Sequence, residues 1–124
     1  CTLGGSWEAS DVYRRPVDVM VMTRFGLVEG SVIKCRPIGV LRMSDESGED
    51  AKILAVPIEK ISQMNKDVTC LADVPEILLK RISHFFQHYK DLEEGKWVKI
   101  DGWEDVDAAK KEILDSVESY NKQV

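Results

Sequence analysis

The chain has 124 residues, 44% of them hydrophobic and 31% charged, which suits one domain with a modest core. Its net charge of −5 argues against nucleic acid as the main partner, because phosphate binding needs a basic face. No apolar run approaches membrane-spanning length and no signal-peptide pattern is present, so no membrane partner is expected.

The three cysteines, Cys1, Cys35 and Cys70, form no CxxC pair and are odd in number. A reduced, cytoplasmic setting with unpaired thiols is the simplest reading. The chain begins at Cys1 and not at Met, as expected of a fragment, a processed form or a trimmed chain. Residues 1–15 show neither helical nor strand periodicity, and Gly4, Gly5 and Ser6 favour a loop. Trp7 is expected to be exposed or packed against a partner. Pro16 opens a short strand, Val17 to Met22, with Val17, Val19 and Val21 on one face. Asp18, Met20 and Met22 share the other face. An unpaired carboxylate there is costly to bury, so Asp18 is either at the wet end of the strand or bound to something.

Phe25-Gly26 and Glu29-Gly30 bracket a connection. A long strand follows, Ser31 to Met43, and Pro37 within it suggests an edge or a bulge. The stretch Val40 to Lys52, VLRMSDESGEDAK, reads as a β-hairpin with an acidic tip. It carries Asp45, Glu46, Glu49 and Asp50 around a Ser47-Gly48 turn. Lys52 lies two residues beyond Asp50 and shares its strand face. The cluster is either a solvated polar turn or a cation site, since a divalent ion relieves carboxylate repulsion better than one lysine. The spacing argues against an EF-hand: with Asp45 at loop position 1, Asp50 would replace the required glycine and Val56 the required glutamate. The return strand runs from Lys52 to Ile58. Residues 59–72 are polar and irregular, with a turn at Asn65-Lys66-Asp67.

Asp73-Val74-Pro75-Glu76 is a helix start, with Asp73 as cap. Val74, Ile77, Leu78, Ile82, Phe85, Phe86 and Tyr89 recur at helical spacing and predict a core stripe. His84 and His88 lie one turn apart, which lacks a third ligand and is a weak metal signal. Lys96 to Ile100 alternates as a strand, and Asp101-Gly102 turns the chain. Val106, Ala109, Ile113, Val117 and Tyr120 mark a second amphipathic helix over 106–120. The order strand, strand, strand, helix, strand, helix implies antiparallel β with flanking helices, and four short strands would leave open sheet edges.

PVDVMV (16–21), GSVIKCRPIGVLRMSDESGEDAK (30–52), HFFQHYKDLEEGKWVKIDGW (84–103) and the final helix together resemble the soluble family I inorganic pyrophosphatases of bacterial type. The resemblance implies an α+β fold, mainly β, here an incomplete OB-like twisted β-barrel with two flanking helices. It implies one domain over residues 1–124, the C-terminal part of that fold, with 1–15 as an irregular loop. It further implies Mg2+-dependent hydrolysis of diphosphate to two phosphates, with Mn2+ as a possible substitute, and a homo-oligomer. By matching position, Asp18, Asp45 and Asp50 resemble the metal-binding aspartates, and Lys52 the active-site lysine. Tyr89 and Lys90 resemble the pair that binds a phosphate group. Asp18, Asp50 and Lys52 form the implied catalytic set; Lys52, Tyr89 and Lys90 bind substrate. Pyrophosphate is a polyanion, which suits cations, lysines and phenolic donors.

Two departures qualify the resemblance. The family pattern before Pro16 is DGDP, whereas SWEASDVYRR (6–15) stands here, with Tyr13 and Arg15 at the two aspartate positions. Arg15 cannot accept a proton. Asp11 or Glu8 are the candidate substitutes. The family's N-terminal portion, with further strands and active-site groups, is also expected to be missing. Three roles follow: a pyrophosphatase with impaired activity, alone or completed by another chain; a non-catalytic binding or assembly protein on the same fold; or a truncated or rearranged product without a selected role.

Overall fold

The computed structural model describes residues 17–23 and 26–123. The expected loop over 1–15, with Trp7, Glu8, Asp11, Tyr13 and Arg15, lies outside the described residues, as does Pro16. Four strands and two longer helices follow in the expected order: β1 (Asp18–Val21), β2 (Cys35–Asp45), β3 (Gly48–Pro57), α1 (Glu76–His88), β4 (Val98–Glu104) and α2 (Val106–Gln123). A short 3-10 turn, Leu71–Asp73, precedes α1. The strands form one open mixed sheet in the order β1-β3-β2-β4. The β2–β3 and β2–β4 pairings are antiparallel, but β1 runs parallel to β3, against the antiparallel expectation.

Alternation sorts the strands into two faces. Val17, Val19, Val40, Ala51, Ile53 and Ala55 gather on one face and pack with Ala109 and Ile113 of α2. Ile38, Leu54 and Val56 gather on the other with Met20, Met22 and Trp103, under Leu78, Leu79 and Ile82 of α1. Burying such side chains stabilises by about 1.5–3 kcal/mol each, an upper estimate. The sheet is thus the middle layer between the two helices. The predicted α1 stripe is only partly core: Ile77, Phe85 and Tyr89 remain 57%, 59% and 46% exposed. The described part of the sheet is too narrow for one helix to bury its whole apolar stripe.

Several local expectations shift. The hairpin turn sits at Glu46-Ser47, one residue before the expected Ser47-Gly48, and Asp45 pairs with Gly48. The Ser47 backbone N–H donates to Asp45 Oδ1 at 2.8 Å, which closes the turn early. Gly48 then opens β3 at φ +118°, a conformation that side chains resist. Pro37 does mark a bulge, where the β2–β3 register shifts, and it lies in an interior strand. Asp101-Gly102 forms no chain reversal. β4 runs through both residues, and its register shift against Arg42 and Met43 absorbs them as a bulge. Asp73 does not cap α1: its carboxylate accepts from Thr69 N, Thr69 Oγ1 and Cys70 N, and Pro75 occupies the N-cap. The 59–72 loop is pinned by Arg36, whose guanidinium donates to the carbonyls of Asn65, Lys66 and Val68.

Gly39 shows how closely the layers approach. A Cβ there would meet Leu71 Cδ2 at 2.5 Å and the Glu104 carbonyl oxygen at 3.0 Å. Leu71 can give way, but the β4 backbone cannot without disturbing the sheet. Gly39→Ala is expected to destabilise by about 1–3 kcal/mol, the cost of overpacking. Urea denaturation measures it, and an unchanged midpoint would show that the layers have slack.

Candidate active site

Two lysines and four carboxylates meet at the end of the sheet that carries the hairpin tip. The parallel β1–β3 register sets Asp18 beside Lys52. Asp50 lies two residues before Lys52 on β3, so all three share one face. Lys52 Nζ donates to Asp18 Oδ2 at 2.7 Å and stands 3.1 Å from Asp50 Oδ2. Phe86, reaching over from α1, puts its ring centroid 5.8 Å from the same ammonium. The Lys52 side chain is only 15% exposed. Burial pushes its pKa down, but the bonds to Asp18 and Asp50 outweigh that and raise it.

The second group joins α1 to the hairpin. Tyr89 continues the helix end in helical conformation, and Lys90 follows it. Lys90 Nζ donates to Asp45 Oδ2 at 3.0 Å and to Glu46 Oε1 at 3.2 Å. Lys90 and Asp45 side chains are each 13% exposed. The hydrogen bond to Asp45 is the main cause of a raised Lys90 pKa, with burial opposing and Glu46 adding. Burial works against the Asp45 charge. The Lys90 and Ser47 hydrogen bonds, with the charges of Lys90 and Lys52, nevertheless hold its carboxyl below the usual range. Glu46 Oε2 also accepts from the Trp97 backbone N–H at 3.4 Å, tying the hairpin tip to the segment before β4.

The six predicted site residues therefore gather in two lysine-centred groups, Asp18–Lys52–Asp50 and Asp45–Lys90, with Tyr89 beside Lys90. The Tyr89 ring centroid lies 5.5 Å from Lys90 Nζ. Sequence reasoning gave no role to Glu46 beyond the acidic tip, or to Phe86 beyond the core. Glu46 meets Lys90 across 44 residues, a contact with no local signal.

The carboxylates are hard oxygen donors of the type that holds Mg2+ or Mn2+. The arrangement does not fit such an ion as it stands. Among the described residues no three His, Cys, Asp or Glu side chains are grouped to hold a metal. Lysine ammonium groups take the carboxylates instead. The His84 and His88 ring centroids lie 4.4 Å apart with the rings tilted at 45°, and His88 Nδ1 pairs with Asp91 Oδ2 at 2.8 Å. An open cleft of about 710 Å3 borders Asp18 and Asp50 and is otherwise lined by Arg42, Glu49, Glu104 and Glu112 among others. Its mostly acidic wall suits a polyanion poorly.

A sequence model of the family described as inorganic pyrophosphatase matches residues 8–121. The chain is 61% identical over 101 residues to an inorganic pyrophosphatase of Vibrio vulnificus, covering 82% of this chain and 57% of that protein. It is 57% identical over 103 residues to an inorganic pyrophosphatase of Escherichia coli, covering 83% and 58%. The inorganic pyrophosphatase structure from Helicobacter pylori superposes with a TM-score of 0.82 at 42% identity, covering 85% of this chain and 62% of that one. That from Thermus thermophilus gives 0.81 at 39%, covering 86% and 62%. The chain thus spans a little over half the length of the relatives it matches.

The bridges have a pH signature. Asp45 stabilises the fold fully above its unfolded pKa of about 3.9, and the contribution is lost as pH falls through the lower folded value. Lys52 and Lys90 contribute fully below about 10.4 and lose it as pH rises through their higher folded values. Carbon-detected NMR should find Asp45 titrating below the usual range, and Lys90→Met should move it upward. An Asp45 titration indifferent to that variant would remove Lys90 as its partner.

Proposed function

Since the chain belongs to the inorganic pyrophosphatase family, we propose that it engages inorganic diphosphate and hydrolyses it to two phosphates, slowly in this chain. The observation that carries the reading is the pair of largely buried lysines, Lys52 against Phe86 and Lys90 beside Tyr89, at positions where the resemblance puts phosphate-binding groups. Lys52 and Lys90 would each give up a carboxylate to take phosphoryl oxygens, and the Tyr89 hydroxyl would donate a further hydrogen bond. Such contacts strengthen as charge builds on the departing phosphate. Water attacks one phosphorus, the bridging P–O bond breaks, and the water's proton passes to a carboxylate, for which Asp18 and Asp50 are the candidates.

Slowness follows from the same contacts. Asp18 and Asp50 both engage Lys52, and an ion-paired carboxylate must release its partner before accepting a proton. Mg2+, or Mn2+ in its place, is proposed as cofactor on family membership, with Asp18, Asp45 and Asp50 as its ligands on this chain once the lysines release them. Two further readings join the proposal. The described residues act as one domain, and the protein works in the cytoplasm, in keeping with free thiols at Cys35 and Cys70. The alternative is a non-catalytic binding or assembly protein on the same fold, favoured by the engagement of both candidate bases.

Phosphate release from diphosphate with Mg2+ tests the reading. The expected rate is below about 1 s⁻¹, under the usual enzyme range. Lys52→Met should remove both residual turnover and diphosphate binding. Turnover at an ordinary enzymatic rate would overturn the slowness. Binding without any release would favour the alternative.

We also propose a homo-oligomer. Among the described residues β1 and β4 are sheet edges, and Phe85, Trp97, Leu114 and Val117 are exposed apolar groups. Unpaired edges and exposed apolar surface favour pairing with another chain. Light scattering should report an assembly; a well-folded monomer at high concentration would contradict it.

A further inference from the structure

We infer that Phe86 is a positioning residue that sets the separation between Lys52 and Tyr89, so that a group from β3 and a group from α1 meet one ligand. That this ligand is of the diphosphate class rests on the proposed function; the positioning itself is a matter of geometry.

Lys52 stands on a strand and Tyr89 at the end of a helix, in different layers. One ring lies against both. The Lys52 ammonium sits over Phe86, 5.8 Å from the ring centroid. The Tyr89 ring meets Phe86 edge-to-face, with centroids 5.8 Å apart and planes at 85°. Both arrangements are favourable, because the negative face of a ring attracts a cation and also attracts the positive edge of another ring. Phe85 completes the group, crossing Phe86 at 80° and stacking on Tyr89 at 18°.

Strand and helix periodicity put the ring there. Lys52, Leu54 and Val56 alternate onto one face of β3, and Leu78, Ile82 and Phe86 recur one turn apart along α1. Leu54 and Val56 pack under Leu78 and Ile82 in the core. Lys52 and Phe86 are the next step of each row, so their contact carries the same seam to its wet end. An aliphatic side chain at 86 could fill that seam. Only a ring both attracts the ammonium and meets Tyr89 edge-to-face. The ring also takes no hydrogen bond from Lys52, unlike Asp18. It can therefore hold the ammonium while the donors turn toward a ligand.

Two readouts test this, one of them without any ligand. In proton NMR the ring current of Phe86 should shift the Lys52 ε-methylene upfield. Phe86→Leu should return that signal to the ordinary lysine position and move the Tyr89 ring signals as well. Phe86→Tyr keeps the ring and should keep both signals. Phe86→Met covers a leucine variant that fails to fold. Ile82→Val separates positioning from packing: it loosens the same seam one turn earlier, and should lower stability while leaving the Lys52 and Tyr89 signals in place. Methylenediphosphonate, a diphosphate whose bridge does not hydrolyse, is the binding probe, titrated by calorimetry with Mg2+ present. Its Kd should rise by about three- to tenfold in Phe86→Leu, as for loss of one cation–π and one aromatic contact, and stay within about twofold in Phe86→Tyr and Ile82→Val. An ordinary Lys52 methylene shift in the unmodified chain would overturn the inference. So would unmoved Tyr89 signals or an unchanged Kd in folded Phe86→Leu, or an equal loss of affinity in Ile82→Val. If the unmodified chain does not bind the probe, the proposed function fails, and the Lys52 and Tyr89 signals decide the positioning by themselves.

Discussion

Two ammonium groups hold the acidic end of this molecule together. β1, β3 and the hairpin tip bring four carboxylates to one region, Asp18, Asp45, Glu46 and Asp50, and like charges so gathered repel. Lys52 joins β1 to β3, and Lys90 joins the end of α1 to the tip. The layers on that side are therefore closed by ion pairs where the apolar core ends. Partly desolvated pairs of this kind add little net stability, yet removing one partner is costly because the other is left buried and uncompensated. The lysines are better understood as fixing geometry than as supplying energy.

The opposite face treats charge differently. Arg42 lies on β2 between Glu104 of β4 and Glu112 of α2, at 3.0 and 2.7 Å. The hydrogen bond it donates to Glu112 is the main cause of its raised pKa, with burial opposing and Glu104 adding. A guanidinium is a rigid fork suited to joining a strand, its neighbour and a helix permanently. An ammonium is a compact charge on a flexible stem and can exchange partners. The sequence thus uses arginine where α2 must stay docked and lysine where a ligand would compete.

Legibility in the sequence followed locality. The element order, the hairpin and both helices were readable because their signals lie within a few residues. Asp50 and Lys52 on one face followed from strand alternation alone. The partner of Asp18 did not, because it depends on a parallel pairing across the 34 residues separating it from Lys52. Asp73 looked like a helix cap, but it ends the short 3-10 turn before α1, and its carboxylate accepts from Thr69 and Cys70 just ahead of that turn. Asp101-Gly102 carries turn chemistry, yet β2 offers β4 more backbone partners beyond it, and a bulge costs less than leaving those groups unpaired. Asp18, Asp45 and Asp50 matched a family motif by position, but whether they face a metal or a lysine is a matter of side-chain competition that motif matching does not resolve.

That competition bears on how a polyanion could bind here at all. The four carboxylates and two ammoniums of the cluster leave an excess of two negative charges. Diphosphate is itself multiply negative, so rigid docking against the intact ion pairs would be repulsive. Favourable binding requires either that the lysines turn from carboxylate to phosphate or that further positive charge enters. Turning alone strips Asp18 and Asp50 of their counter-ion while they remain partly desolvated, which is expensive. A polyanion that bound here would therefore have to bring positive charge with it or take a lysine from its carboxylate.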